Sequence, residues 1–199
     1  MAAQAGQADG AHDLQHLNRV WQTAMVLLEA HPQADRLVVQ AACYLHDLVN
    51  LLKNHPQRAQ ASRLAAQEAR QQLEESGFPG DKLDAVAHAI EAHSFSAGIV
   101  PLTIEARLVQ DADRLDALGA IGLARLFYTA GRMASALAHP TDPLGQERAL
   151  DDRAYALDHI RIKLDGLPDS MQTAAGRQLG FERLALLHTF RDEFAAQWK

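Results

Sequence analysis

Apolar residues recur at intervals of three and four along most of the chain, the spacing that lines one face of an α-helix. Leu17, Val20, Trp21, Ala24 and Leu28 form such a face, which predicts a helix from about His12-Asp13 to Ala30, ended by His31-Pro32. Val38, Ala42, Leu45 and Val49 stripe a second helix, expected from Asp35 to about residue 50. A third is expected from Ala59 or Ser62 to Glu75. A fourth should start at an Asp81 N-cap and carry Leu83, Val86, Ile90 and then His93 on its core face. Steps of four, three, four and three from Ile104 give Leu108, Asp111, Leu115 and Leu118, a fifth stripe. Gly119 and Gly122 allow a bend or close packing before a sixth helix ending near Gly131, and two more are expected over 151–165 and 169–197. The connection at 133–150, with Pro140, Pro143 and Gly145, has the length of a lid or a disordered segment.

Runs of Val, Ile and Thr that would read as strands are scarce, and no internal repeat is visible. The pattern predicts an all-α, single-domain protein, with residues 1–11 a polar leader expected to be disordered. The 199 residues, 48% hydrophobic and 22% charged, suffice for a sizeable core. A net charge of −6 argues against a nucleic-acid polymer as partner, which calls for a basic footprint. No run reaches the length of a membrane span, and Met1 to Gly10 lacks a basic region followed by an apolar one. The single cysteine, Cys43, excludes an intrachain disulfide and reads as a buried structural thiol. A cytoplasmic protein is expected; the oligomeric state is left open.

Chemistry enters where polar residues interrupt the apolar stripes. His46 and Asp47 stand beside the second stripe, and His16 lies one turn before Val20 on the first. Asp111 falls inside the fifth stripe, where a carboxylate calls for a hydrogen bond, an ion pair or a metal. A salt bridge with Arg107 or Arg114 is one reading of Asp111, and metal ligation is the other. His16, His46, Asp47 and Asp111 together make a mixed nitrogen and oxygen set, suited to one divalent ion of Mn, Fe, Co, Ni or Zn. Mg²⁺ prefers oxygen and Cu⁺ prefers sulfur. Asp113 and Asp116 fall on another face from Asp111. They are read as orienting Arg114 or a neighbouring helix rather than as ligands.

His16 within His-Leu-Asn-Arg-Val, the pair His46-Asp47, and Asp111 within Val-Gln-Asp-Ala-Asp-Arg-Leu-Asp-Ala-Leu-Gly-Ala-Ile-Gly resemble the H…HD…D signature of the HD-domain metal-dependent phosphohydrolases. The stretches 12–63, 86–125 and 150–180 are similar to a subfamily of small bacterial HD proteins, some of which act as nucleotide pyrophosphatases. The resemblance implies one HD-type helical bundle over 12–199 with an ion at its centre, held by His16, His46, Asp47 and Asp111. It implies hydrolysis of a phosphate ester or anhydride. Several HD families hold a second metal with further histidines; His88 and His93 lie in that interval here, without an adjacent His-His pair.

The expected reaction is cleavage of a small phosphorylated molecule, a nucleoside triphosphate giving monophosphate and pyrophosphate. A nucleoside monophosphatase or phosphodiesterase on the same site is the alternative, and a non-catalytic metal- or nucleotide-sensing domain is the third reading. Asp47 and His93 are the expected catalytic residues; His93 extends a core stripe and precedes a polar loop. Arg19, Lys53, Arg58 and Arg114 are the candidate phosphate clamps, with Lys53 and Arg58 just beyond the HD pair. His88 is expected to be structural.

Overall fold

The computed structural model describes residues 14–49, 51, 57–94 and 97–198. The expected leader, the start of the first helix at His12-Asp13, and Lys53 lie outside the described residues. Helix α1, Leu14–Glu29, buries His16, Val20, Trp21, Thr23, Ala24 and Leu27, close to the face drawn from the sequence. Helix α2, Arg36–Leu45, is capped by Asp35, whose carboxylate accepts from Leu37 N at 2.9 Å and Val38 N at 3.2 Å and pairs with Lys82. That cap satisfies two amides the helix itself cannot.

Helix α2 ends sooner than its apolar period suggests. His46 is its C-cap, with its amide on Ala42 O at 2.9 Å, and Asp47 lies in the following turn. A 3-10 turn, Arg58–Gln60, leads into α3, Ala61–Glu75, which buries Ala61, Ser62, Ala65, Ala66 and Ala69. These small residues let α3 lie close against α4, Leu83–His93. Asp81 does not cap α4 as expected; it sits within a 3-10 turn, Gly80–Lys82, that precedes the helix. Helix α2 packs on both α1 and α4.

Helix α5, Ile104–Leu115, is tied to α4 by Gln110 Nε2, which donates to Ala92 O at 2.5 Å. His88 Nε2 accepts from Leu102 N at 3.0 Å and so anchors the connecting loop, the structural role expected of it. Leu27, Ile90, Leu108 and Leu115 are among the fully buried side chains, each contributing about 1.5–3 kcal/mol by leaving water.

The chain divides into two compact units, one ending at Asp113 and the other beginning at Arg114. In the second, α6, Gly119–Arg132, packs on α7, Ala174–Gln197, with Phe127 against Phe190 and Phe194. Gly119 has φ +72°, and a Cβ on Gly122 would stand 2.2 Å from the Ala117 carbonyl, so both glycines are required. The helix expected over 151–165 is replaced by turns and one π-helical stretch, Ile160–Leu164. The connection before it is pinned by Arg148. Its guanidinium makes two hydrogen bonds to the buried Asp158, at 2.6 and 2.7 Å, and Asp151 N adds a third at 2.8 Å. Arg148 also donates to Asp142 O, and Arg161 to Leu144 O and Gly145 O. No strand occurs among the described residues; Ala136 and Tyr155 form an isolated parallel bridge. No described helix is long and apolar enough to cross a membrane.

Candidate metal centre

Three helices and one turn deliver the polar cluster of the first unit. His16 comes from α1, His46 and Asp47 from the end of α2, His93 from the last residue of α4, and Asp113 from α5. His16 and His46 are each 1% exposed. Their Nε2 atoms are 3.3 Å apart, and Asp47 Oδ2 lies 3.7 Å from both. Asp113 Oδ1 is 3.4 Å from His16 Nε2 and 3.7 Å from His46 Nε2. His93 stacks edge-on against His46 with ring centroids 4.7 Å apart. His16, His46 and Asp47 form one group with ligand atoms mutually within 4.8 Å, and His46, His93 and Asp113 form a second.

The imidazoles are oriented by backbone. His46 Nδ1 lies 2.9 Å from Cys43 O, and His93 Nδ1 lies 2.6 Å from Ile90 O. A carbonyl only accepts, so each Nδ1 carries the proton and each neutral ring turns a bare Nε2 lone pair away from it. This is the second hydrogen bond that metal-binding histidines ordinarily make. Burial, and then the neighbouring His46, lower the His93 pKa against Asp113 and Asp47, which favours its neutral form. Burial opposes a charge on Asp113, yet the hydrogen bond from His16 and the nearby His46 and His93 outweigh it and hold the carboxyl well below the usual range. Burial, with the Asp113 charge, pushes the Cys43 thiol up, so the single cysteine is the inert neighbour expected of it.

Around one ion with bonds near 2.1 Å, adjacent ligand atoms stand about 3.0 Å apart in an octahedron and about 3.4 Å in a tetrahedron. The two Nε2 atoms stand 3.3 Å apart and each carboxylate lies 3.4 to 3.7 Å from both, separations that suit a divalent cation within a few tenths of an ångström. The donor chemistry fits as well: Asp47 and Asp113 each stand beside the Nε2 atoms of His16 and His46.

Three of the four residues expected from sequence as ligands are brought together here, and the α5 carboxylate that stands beside the histidines is that of Asp113, not Asp111. The two are separated by about 200° around the helix, so one faces the histidines only if the other turns away. Asp111 is 0% exposed, in the interior, whereas the Asp113 side chain is 27% exposed. Asp116, the other carboxylate set aside with Asp113, pairs with Arg125. Arg114 belongs to the second unit, where its Nη1 donates to Ser170 O at 2.8 Å and Oγ at 3.1 Å, and it is not among the described residues lining the cleft beside the cluster. Arg19 is half-buried on α1 and is not among the described residues lining the cleft beside the cluster.

That cleft is small and is lined by His46, Asp47, Arg58, Ser62 and His93 among others. Arg58 lines it with its guanidinium held by Leu51 O. Asp113, set aside from sequence, stands beside the histidines, and Ser62, not singled out there, lines the cleft. The clue to Asp113 was available: a carboxylate at the edge of an apolar face stays partly exposed, whereas one at its centre is buried.

Comparison with known proteins agrees with this architecture. Residues 13–118 match the family model of the HD domain. The protein YpgQ of Bacillus subtilis is 36% identical over 190 residues, covering 94% of this chain and 82% of that protein. Its crystal structure in complex with ADP superposes with a TM-score of 0.72 at 34% identity, over 92% of this chain and 85% of the other. A structure from Lactobacillus plantarum gives 0.73 at 31% identity, over 97% and 90%. An HD-superfamily hydrolase from Bacillus thuringiensis gives 0.71 at 32% identity, over 94% and 86%. With that match and this cluster, the chain belongs to the HD domain family, the metal-dependent phosphohydrolases.

Proposed function

We propose that the substrate is a nucleotide, and that this chain cleaves a nucleoside triphosphate to the monophosphate and pyrophosphate. The observation that carries the reading is the cleft itself, which sets Arg58 and the N-terminal end of α3 beside a cluster built for a divalent ion. A polyphosphate needs positive charge beyond the ion, and those two features supply it. The ADP complex of YpgQ adds support, because that protein shares the fold over most of its length.

His16, His46, Asp47 and Asp113 would hold the ion, of Mn, Co, Ni, Fe or Zn by donor type. A divalent ion supplies Lewis acidity toward water and toward a phosphoryl oxygen. The remaining work falls to the chain. Arg58 binds substrate oxygens at the cleft wall. Asp47, 22% exposed in its side chain, reaches both the ion's position and the cleft, where it accepts a hydrogen bond from an entering hydroxyl. His93, proton fixed at Nδ1, presents Nε2 as the acceptor of a proton from water or as the partner of a leaving group after protonation.

Hydrolysis of a nucleotide panel with Mn²⁺, Co²⁺, Ni²⁺ and Mg²⁺ in ¹⁸O-labelled water tests this. Label in the nucleoside monophosphate, with pyrophosphate released, is the expected result. Label only in orthophosphate, with monophosphates the better substrates, would assign the site to a monophosphatase instead.

A further inference from the structure

Ser62 is the second residue of α3 and is 3% exposed, yet its Oγ has no hydrogen-bond partner among the described residues. Buried hydroxyls are nearly always satisfied, and leaving one unmade is costly. This one belongs to the wall of the cleft, with Arg58, His46, Asp47 and His93. The same wall includes Ala61, so the first two residues of the helix both border the cleft. The first turn of α3 carries no acidic side chain, and Gln60 makes no side-chain cap there. The partial positive charge of the helix start is therefore not quenched by a carboxylate of its own.

A hydroxyl donor, a guanidinium and a helix N-terminus converging on one small space suit an anionic oxygen; a cation or an apolar group would match none of them. We propose that Ser62 is a substrate-binding residue whose Oγ–H donates to a phosphoryl oxygen seated between Arg58 and the His/Asp cluster. This rests on reading the cleft as a phosphohydrolase site, and it names a neutral donor in addition to the cations. A hydroxyl donor adds direction that a point charge lacks, so the phosphoryl group is fixed in orientation as well as attracted.

The test is ADP binding to the Mn²⁺-loaded full chain by calorimetry, for wild type and Ser62→Ala, alongside thermal melts and Mn²⁺ titrations. ADP affinity is expected to fall roughly tenfold or more, the loss of one hydrogen bond to a charged group. Mn²⁺ affinity should be unchanged and the melting temperature unchanged or higher, since an unsatisfied hydroxyl is removed. Ser62→Cys, which keeps the size but only a weak donor, should weaken ADP binding in the same way and decides the matter if the alanine variant does not fold. ADP affinity unchanged in the variants, a lowered melting temperature with wild-type ADP binding, or a wild-type protein that does not bind ADP would each overturn the proposal. Failure of the hydrolase reading looks different: Ser62-dependent ADP binding by a wild-type protein that cleaves no nucleotide.

Discussion

Asp158 in the second compact unit and Asp113 in the first are carboxylates of the same type with partners of different kinds. Asp158 receives both arms of the Arg148 fork and the Asp151 amide, so its charge is neutralised by a permanent cation and its oxygens are filled by the protein. Arg148 in turn lies 4.8 Å over the Tyr155 ring. Asp113 faces imidazoles, and beside the same two histidines stands a second carboxylate, Asp47. His46 and His93, with Nδ1 on backbone carbonyls, offer Nε2 lone pairs in their neutral form and no permanent charge like that of a guanidinium. The first arrangement is closed and holds a loop in place. The second gathers two carboxylates around the same two imidazoles, an arrangement that could hold a divalent cation.

The comparison breaks first at Asp113. Asp113→Asn should lower hydrolysis at least about a hundredfold by weakening the ion's hold. The metal-free variant should melt no higher than wild type, because the histidines that hold the Asp113 carboxyl below its ordinary range lose their charged partner. Steady-state assays with calorimetric Mn²⁺ titration read both effects. Asp158→Ala should do the reverse. It strands Arg148 and costs about 3 kcal/mol in urea unfolding, while Mn²⁺ bound per folded molecule stays at the wild-type value. Loss of Mn²⁺ binding in that variant would erase the distinction between the two clusters.

Metal addition sharpens the contrast. At free Mn²⁺ a hundred times its dissociation constant, binding should stabilise the wild type by about 2.7 kcal/mol. Chelation should reverse the shift, and Asp113→Asn should show little of it. The smallest effect expected is on the acid side of the second unit. Lys163 first, then His159, hold Asp152 below its ordinary value of 3.8 against partial burial. The folded state thus binds that proton less readily, so the pair's stability is present above pH 3.8 and is lost as pH falls through the lower folded value. Asp152→Asn should flatten the acid limb of the stability curve by less than about 1 kcal/mol, as read by unfolding at pH 2–4.

The helices were legible because their apolar periods are local. His16, His46 and Asp47 were legible because each interrupts or borders such a period. The choice between Asp111 and Asp113 was not. Ala106, Leu108, Val109, Gln110, Asp111, Ala112 and Leu115 are all buried, so α5 is covered around most of its girth and its stripe has no phase to point with. A carboxylate in the middle of that stripe marks the interior, while Asp113 lies at the margin, partly exposed beside the histidines. Asp151–Asp158 was misread for a different reason. The Asp151 carboxylate accepts from Arg153 N and Ala154 N at 2.9 and 3.1 Å, a turn that competes with helix. The long-range Arg148–Asp158 pair then fixes that turn, and nothing in a local window announces such a pair.

Crystals soaked with Mn²⁺ and measured at an anomalous wavelength address the central claim most directly. The predicted result is a single strong peak about 2.0–2.3 Å from His16 Nε2, His46 Nε2 and the carboxylates of Asp47 and Asp113. A peak bound by Asp111 with Asp113 turned away, or no ordered peak on these histidines at saturating Mn²⁺, would contradict it.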